Sequence, residues 1–118
     1  MVCLVVPKIT SLLNTIKDAI LHEINEVTSI CINIHPDETN VVLGDCFESL
    51  YGPLYIEDTI GDLRFRIAPE AFYQVNPYIT GRLYDKALEY AALTGGETVW
   101  DLYCGIGTIG LFLSKNAK

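Results

Sequence analysis

The sequence lacks any apolar run that is long enough to cross a membrane. One of its longest hydrophobic stretches, Met1–Val6, has only six residues, whereas a membrane-spanning helix needs about 20. This stretch also lacks the basic start and the small-residue cleavage site of a signal peptide. These absences predict a soluble, cytoplasmic protein that does not bind membranes.

Basic residues are also scarce. Eight lysines and arginines stand against 15 aspartates and glutamates, and the formal net charge is −7. A chain that grips a phosphate backbone on its own needs the opposite sign. The charge therefore argues against a free-standing RNA binder, but it allows an RNA-binding surface elsewhere in a larger protein.

Only four cysteines are present, at positions 3, 31, 46 and 104. They form no CxxC pair and no His-x-Cys pair, so neither a zinc site nor an iron–sulfur site is expected. Three of the four lie within apolar segments, which favours buried, reduced thiols. The sequence therefore predicts no metal site.

Half of the residues are hydrophobic and the mean hydropathy is positive, so the chain can bury a core. A strand is predicted at Met1–Val6 and a helix from an N-cap at Thr10 to about Asn25. Gly61-Asp62 is a two-residue hairpin signal between two later strands. We predict an α+β central subdomain with a mainly antiparallel sheet over residues 1–75. Its further strands are expected at Val27–His35 (one face apolar, closed by Pro36-Asp37), Asn40–Leu43, Ser49–Tyr51, Leu54–Ile60 and Leu63–Ala68.

The last third of the chain has a different pattern. Asn76-Pro77 is typical of a helix start, and Gly95-Gly96 of a helix end. The apolar segment Thr98–Tyr103 predicts a strand buried in a parallel sheet, followed by a glycine loop and a helix to Lys118. Residues 76–118 are thus predicted to be the first β-α unit of a Rossmann-like α/β domain, truncated before its other strands. The helix face is expected to consist of Ile79, Leu83, Ala87, Leu88 and Ala91.

The glycine loop is the clearest chemical motif. Gly105, Gly107 and Gly110 satisfy G-x-G-x-x-G, which also occurs in dinucleotide-binding loops. Asp101, four residues before the first glycine, favours the methyltransferase pattern D-x-x-x-G-x-G. A carboxylate there disfavours a pyrophosphate and tolerates a cationic sulfonium group better. An ordinary strand-to-helix turn remains an alternative.

A second motif lies upstream, where residues 72–76 read F-Y-Q-V-N and are followed by W-D-L-Y-C-G-I-G-T at residues 100–108. With these two motifs in this order, the chain resembles the RNA uracil-5 methyltransferase family of the RumA/TrmA type, which acts on ribosomal or transfer RNA. Thr39-Asn40 and Leu50–Gly52 also resemble the central domain of that family. The resemblance covers essentially the whole chain.

The resemblance implies S-adenosyl-L-methionine as the cofactor and RNA, ribosomal more than transfer, as the partner. It also implies a role for each matching residue. Phe72 would stack on a flipped base, Gln74 would line both the base and cofactor pockets, and the cofactor would further contact Asp101, Tyr103, Gly105, Gly107 and Thr108. From the residues alone, Phe72 and Tyr73 could instead be core aromatics, Gln74 a partner of the helix start, and Cys104 a small packing residue.

In the chemistry that the family implies, a cysteine thiolate adds to uracil C6 and a carboxylate later removes the C5 proton. Both groups would lie beyond Lys118, so this chain is expected to contain no catalytic residue, to be inactive alone and to bind the cofactor poorly. Unpartnered apolar faces on Thr98–Tyr103 and Ile106–Leu113 predict self-association. Two other functions stay open: a non-enzymatic α+β binding module, and a fragment of a nucleotide-cofactor oxidoreductase.

Overall fold

The structure is a computed structural model that describes residues 1–36 and 40–118. Asp37 of the predicted Pro36-Asp37 turn and Thr39 of the Thr39-Asn40 motif lie outside the described residues. The chain divides into two compact units. Unit 1 comprises Met1–Ile56 and Ala68–Glu70, and unit 2 comprises Glu57–Ile67 and Ala71–Lys118. The sequence predicts a domain boundary between residues 75 and 76. The two compact units divide the chain at other positions, and the predicted boundary stays a prediction.

Unit 1 contains a three-stranded sheet in the order β1 (Val2–Val6), β2 (Ile30–Ile34) and β3 (Cys46–Tyr51). β1 pairs with β2 in parallel, with Val2 opposite Ile30, and β2 pairs with β3 in antiparallel. The predicted antiparallel pairing is found between β2 and β3 but not between β1 and β2, because a helix, α1 (Leu12–Glu23), connects β1 to β2. Such a crossover returns the chain in the same direction.

β2 is the central strand and is buried on both faces. Ile30, Cys31 and Asn33 are all completely buried, whereas the alternating pattern predicted burial of one face only. The side-chain amide of Asn33 donates to the carbonyl oxygens of Gly44 (2.7 Å) and Cys46 (3.1 Å), and its oxygen accepts from the Gly44 N–H (2.7 Å). These bonds make the burial of a polar side chain tolerable.

Two local predictions for unit 1 are wrong. The segment predicted as a strand at Asn40–Leu43 has no strand geometry, and β3 begins only at Cys46. α1 starts one residue later than predicted, with Ser11 rather than Thr10 at the N-cap. Leu13 is its one buried side chain, so the helix packs through a narrower stripe than its sequence suggests.

Unit 2 begins with a hairpin. β4 (Ile56–Ile60) and β5 (Leu63–Ile67) pair across the turn Gly61-Asp62, as predicted. Gly61 has φ of 59°, in the left-handed region that favours glycine. The hairpin places a small set of buried apolar side chains in the core of unit 2, namely Ile60, Phe65 and Ile67.

A 15-residue helix, α2 (Pro77–Ala91), follows. The side chain of Asn76 accepts from the N–H groups of Tyr78 (3.1 Å) and Ile79 (3.2 Å), which confirms the predicted start. The helix ends earlier than the predicted glycines, at Ala92 with φ of 47°. Its predicted core face is wrong in part, because Ile79 and Leu83 are 58% and 50% exposed while Thr80 and Tyr84 are buried.

The segment Thr98–Tyr103 is not a strand in this structure, contrary to prediction. Within the described residues no strand pairs with it, and a β-strand needs a neighbour to satisfy its backbone. After it comes α3 (Thr108–Leu113), and a 3₁₀ turn at Ser114–Asn116 replaces the predicted continuation of the helix to Lys118. Among the described residues, no helix is both long and apolar enough to span a bilayer.

Candidate functional site

The glycine loop makes a sharp turn into α3. Gly105 and Gly107 have φ of 54° and 80°, a region that side chains with a Cβ rarely adopt. The Gly107 N–H donates to the Cys104 carbonyl (2.8 Å), and the Gly107 carbonyl accepts from the Leu111 N–H (2.9 Å), which begins the helix. The two glycines therefore shape the loop through backbone conformation.

The third glycine lies against the acid of the motif. A Cβ built on Gly110 would lie 3.4 Å from Oδ2 of Asp101 and 3.6 Å from its Cβ, which is ordinary van der Waals contact. The first turn of α3 therefore packs directly beside the segment that carries the acid. The motif's acid and its last glycine are neighbours in the fold.

An open cavity of about 640 Å³ lies beside this loop. Gly107, which the family resemblance predicts to contact the cofactor, does not line this cavity. The cavity is lined by six predicted residues, Phe72, Gln74, Asp101, Tyr103, Gly105 and Thr108, and by Tyr73, Tyr84, Cys104, Ile106 and Ile109. Two motifs that are about 25 residues apart in sequence therefore meet at one cavity.

Tyr84 lines the cavity and was missed by the sequence interpretation. It is only 2% exposed, its ring meets Phe112 edge-on at 5.7 Å, and its hydroxyl hydrogen-bonds the Thr108 hydroxyl at 2.7 Å. No local sequence signal marked it, because the buried face of α2 is rotated from the face that its aliphatic residues predict. The bond ties α2 to the first residue of α3.

The aromatic pair upstream has two different environments. Phe72 is 78% exposed, so its interpretation as a core aromatic is wrong. Tyr73 is half-buried against Phe65, with ring centroids 6.3 Å apart. Burial and a hydrogen bond to Asp58 raise the pKa of Tyr73 to about 12, so the phenol stays protonated at neutral pH.

Of the four cysteines, all of them among the described residues, only Cys31 has the predicted burial. Cys31 is buried, and desolvation raises the pKa of its thiol to about 11. Cys3 is half-buried, and Cys46 is exposed. Cys104 is also exposed and borders the cavity, so it is not a packing residue. Among the described residues, no three His, Cys, Asp or Glu side chains are grouped so as to hold a metal ion.

Glu97 stabilises the turn that precedes the glycine loop. Its carboxylate accepts from the N–H groups of Thr94 (2.9 Å), Gly95 (3.1 Å) and Gly96 (3.2 Å), and from the Thr94 hydroxyl (2.6 Å). These donors, the Thr94 hydroxyl foremost, lower the pKa of Glu97 to about 2. The turn after α2 is thereby built around one carboxylate.

No protein-family model matches the chain. Uncharacterized RNA methyltransferases from Halalkalibacterium halodurans and Enterococcus faecalis are 54% and 52% identical over 112 residues, which is 95% of this chain and 24% of each relative. One from Bacillus cereus is 56% identical over 106 residues, 86% of this chain and 23% of that protein.

A solved structure gives the same indication. The tRNA (uracil-54, C5)-methyltransferase of Pyrococcus abyssi, in complex with S-adenosyl-L-homocysteine, matches with a TM-score of 0.61 at 30% identity. The match covers 76% of this chain and 22% of that one. This chain therefore spans about a quarter of the length of the relatives it matches, and over that quarter it is similar to RNA methyltransferases.

Proposed function

We propose that this chain supplies one wall of the cofactor and base pockets of an S-adenosyl-L-methionine-dependent enzyme that methylates C5 of uridine in RNA. The observation that carries the proposal is the single cavity shared by Phe72 and Gln74 from one motif and Asp101 and the glycine loop from the other. Neither motif alone distinguishes a methyltransferase from other nucleotide-binding proteins.

The lining residues suit an S-adenosyl ligand. A Cβ on Gly105 would meet no atom within 4 Å, so the backbone there is open to a ligand. Asp101 is exposed and offers a carboxylate to a cationic ligand. S-adenosylmethionine, when bound, supplies the electrophilic methyl group, and we assign to this chain only binding and orientation.

Phe72 and Gln74 are the residues proposed to face the substrate base. The exposed ring of Phe72 can stack on an unstacked base, an interaction worth about 1–3 kcal/mol. The side-chain amide of Gln74 has a donor and an acceptor, which suits the edge of a uracil. Ribosomal RNA is the proposed substrate, with transfer RNA, the substrate named for the Pyrococcus abyssi protein, as the second candidate.

The chain alone is proposed to be inactive. The nucleophilic thiolate and the base that the uracil-5 chemistry requires would come from other parts of the full-length enzyme. In that enzyme Thr98–Tyr103 would pair as the first strand of the Rossmann-like sheet. Methyl transfer from S-adenosylmethionine to a uridine-containing RNA by the purified chain would contradict this.

Cofactor binding is tested by titrating the ¹⁵N-labelled chain with S-adenosyl-L-homocysteine and following its amide NMR signals. We expect weak, saturable shifts in residues 101–108. Asp101→Asn should reduce the affinity several-fold, since it removes a carboxylate that can pair with the ammonium group of the ligand. Asp85→Asn, on the exposed side of α2 away from this cavity, is the matched control.

Two outcomes favour other functions. Saturable shifts with NAD⁺ but none with S-adenosylhomocysteine would support the oxidoreductase alternative. Absence of shifts with either ligand in the millimolar range would support a binding module in which the glycine loop is only a turn.

Self-association is a second proposal and rests on a different observation. Trp100 and Leu102 are 79% and 87% exposed and lie outside the cavity lining. Side chains of this size seldom stay exposed together without a partner surface. Sedimentation velocity should show a concentration-dependent dimer that the Trp100→Ser/Leu102→Ser variant loses, and a monomer at all concentrations would contradict the proposal.

A further inference from the structure

A hydroxyl pair links the buried side of α2 to the cavity. Tyr84 comes from the middle of α2 and Thr108 is the first residue of α3, yet their hydroxyl oxygens are 2.7 Å apart. Both residues line the cavity beside the glycine loop. The pair therefore connects a rigid helix with the point where the loop becomes helical.

The local structure around Thr108 does not by itself fix the orientation of this residue. The N-cap of α3 is Gly107, which has no side chain and makes no capping bond from one. α3 has only six residues, which is too short for a helix to hold itself together by its own hydrogen bonds. The orientation of Thr108 must therefore be set by tertiary contacts.

Tyr84 is suited to set that orientation. Its ring is fixed by burial (2% exposed) and by the edge-on contact with Phe112, which lies on α3 itself. A buried phenol needs a hydrogen-bond partner, and Thr108 supplies one. When Tyr84 donates, the hydroxyl proton of Thr108 is left free to point towards a ligand in the cavity.

We propose that Tyr84 is a positioning residue for the cofactor pocket: through its hydrogen bond it fixes the Thr108 hydroxyl, and with it the glycine loop, in the conformation that receives the S-adenosyl ligand. This inference rests on the proposed cofactor function. It adds a residue from outside both motifs and assigns it an action through Thr108 rather than a direct role.

The test is a double-mutant cycle in this chain with Tyr84→Phe and Thr108→Val. Each change removes one hydroxyl and keeps most of the side chain's shape. Each alone should weaken S-adenosylhomocysteine binding about threefold to tenfold, the size expected for one lost hydrogen bond. Because the two groups act as a unit, the double variant should be no weaker than the worse single variant.

Matched variants separate positioning from general damage. Tyr90→Phe makes the same change on the same helix at an 80% exposed site, and should leave the affinity unaltered. Thr108→Ser, which keeps the hydroxyl, should lose less affinity than Thr108→Val. Equal affinity of Tyr84→Phe and the unaltered chain, or losses that multiply in the double variant, would overturn the inference.

A second measurement keeps the inference testable if the proposed function fails. Amide hydrogen exchange at Gly107–Leu111, measured without ligand, should speed up several-fold in Tyr84→Phe and not in Tyr90→Phe. If the chain binds no S-adenosylhomocysteine but this difference appears, the cofactor proposal fails while the positioning of the loop stands. If exchange is unaltered, the positioning itself is refuted.

Discussion

The two units differ in how far an apolar segment of the chain is buried. In unit 1 the strand β2 has a neighbour on each side and is buried from Ile30 to Asn33, and its one polar side chain is fully hydrogen-bonded. In unit 2 the mainly apolar segment Thr98–Tyr103 has no strand beside it among the described residues, and its Trp100 and Tyr103 are 79% and 100% exposed. Whether an apolar segment is buried therefore depends on the strands beside it as well as on its own sequence.

The two units also differ in net charge. Unit 1 carries two basic and eight acidic residues, a net charge of −6, whereas unit 2 carries six basic and seven acidic residues, a net charge of −1. The acidity that argues against RNA binding by the whole chain is therefore concentrated in unit 1. The unit that holds the candidate site is close to neutral and repels a phosphate backbone much less.

The largest effect should come from the buried polar side chain of unit 1. Asn33→Ala removes three hydrogen bonds and deprives the Gly44 N–H and the carbonyl groups of Gly44 and Cys46 of these partners inside the sheet. We expect a loss of roughly 2–4 kcal/mol in the free energy of unfolding, measured by urea denaturation. Glu48→Gln, on the exposed part of the adjacent strand, is the control. A loss below about 0.5 kcal/mol would show that the sheet tolerates these unpaired groups.

A pair of glycine substitutions compares the two units directly. Gly52 and Gly95 both have positive φ, 69° and 99°. A Cβ on Gly52 would also overlap the Thr28 carbonyl oxygen, whereas one on Gly95 would meet nothing within 4 Å. Gly52→Ala should therefore cost roughly 2–3 kcal/mol, and Gly95→Ala about 1 kcal/mol from backbone strain alone. Equal costs in thermal unfolding would mean that steric overlap contributes little.

A stabilising change is expected at the end of α2. Ala92 is the one non-glycine with positive φ among the described residues, at 47°. Ala92→Gly should raise the free energy of unfolding by up to about 1 kcal/mol, because glycine adopts this conformation without strain. Ala91→Gly, one residue earlier and still helical, should lower it by a similar amount. Opposite signs at adjacent positions would confirm the cap.

The smallest effect concerns pH. The pKa of Glu97 is lowered in the fold from its ordinary 4.5 to about 2. Its contribution to stability is therefore complete above pH 4.5 and is lost as the pH falls towards 2. Glu97→Gln should flatten the dependence of the melting temperature on pH within this window. An NMR titration that placed the carboxyl midpoint near 4.5 would contradict the network around Thr94.

These contrasts also explain what could be predicted from the sequence. The start of α2 at Asn76 and the turn at Gly61-Asp62 were predicted correctly because neighbouring residues determine them. The strand at Thr98–Tyr103 was not, because strand pairing depends on distant segments. The glycine loop and Gln74 could be assigned to one site from two motifs, and the structure places them at one cavity.

Tyr84 could not be found in the same way. It is separated from Thr108 by 24 residues, and nothing in its local sequence distinguishes it from Tyr78 or Tyr90, which are exposed. The aliphatic residues of α2 indicated the wrong face because Ile79 and Leu83 contribute little to the buried contact. Which face of a helix is buried depends on what packs against it.

The amide of Asn33 also bears on how the protein ages. Its nitrogen points at two carbonyl oxygens and its oxygen at an N–H, so it acts like one more peptide group between β2 and the start of β3. Deamidation, equivalent to Asn33→Asp, would exchange that nitrogen for an oxygen and set it against both carbonyls. A single slow chemical event, with almost no change in mass or shape, would thus damage the sheet at its most buried point.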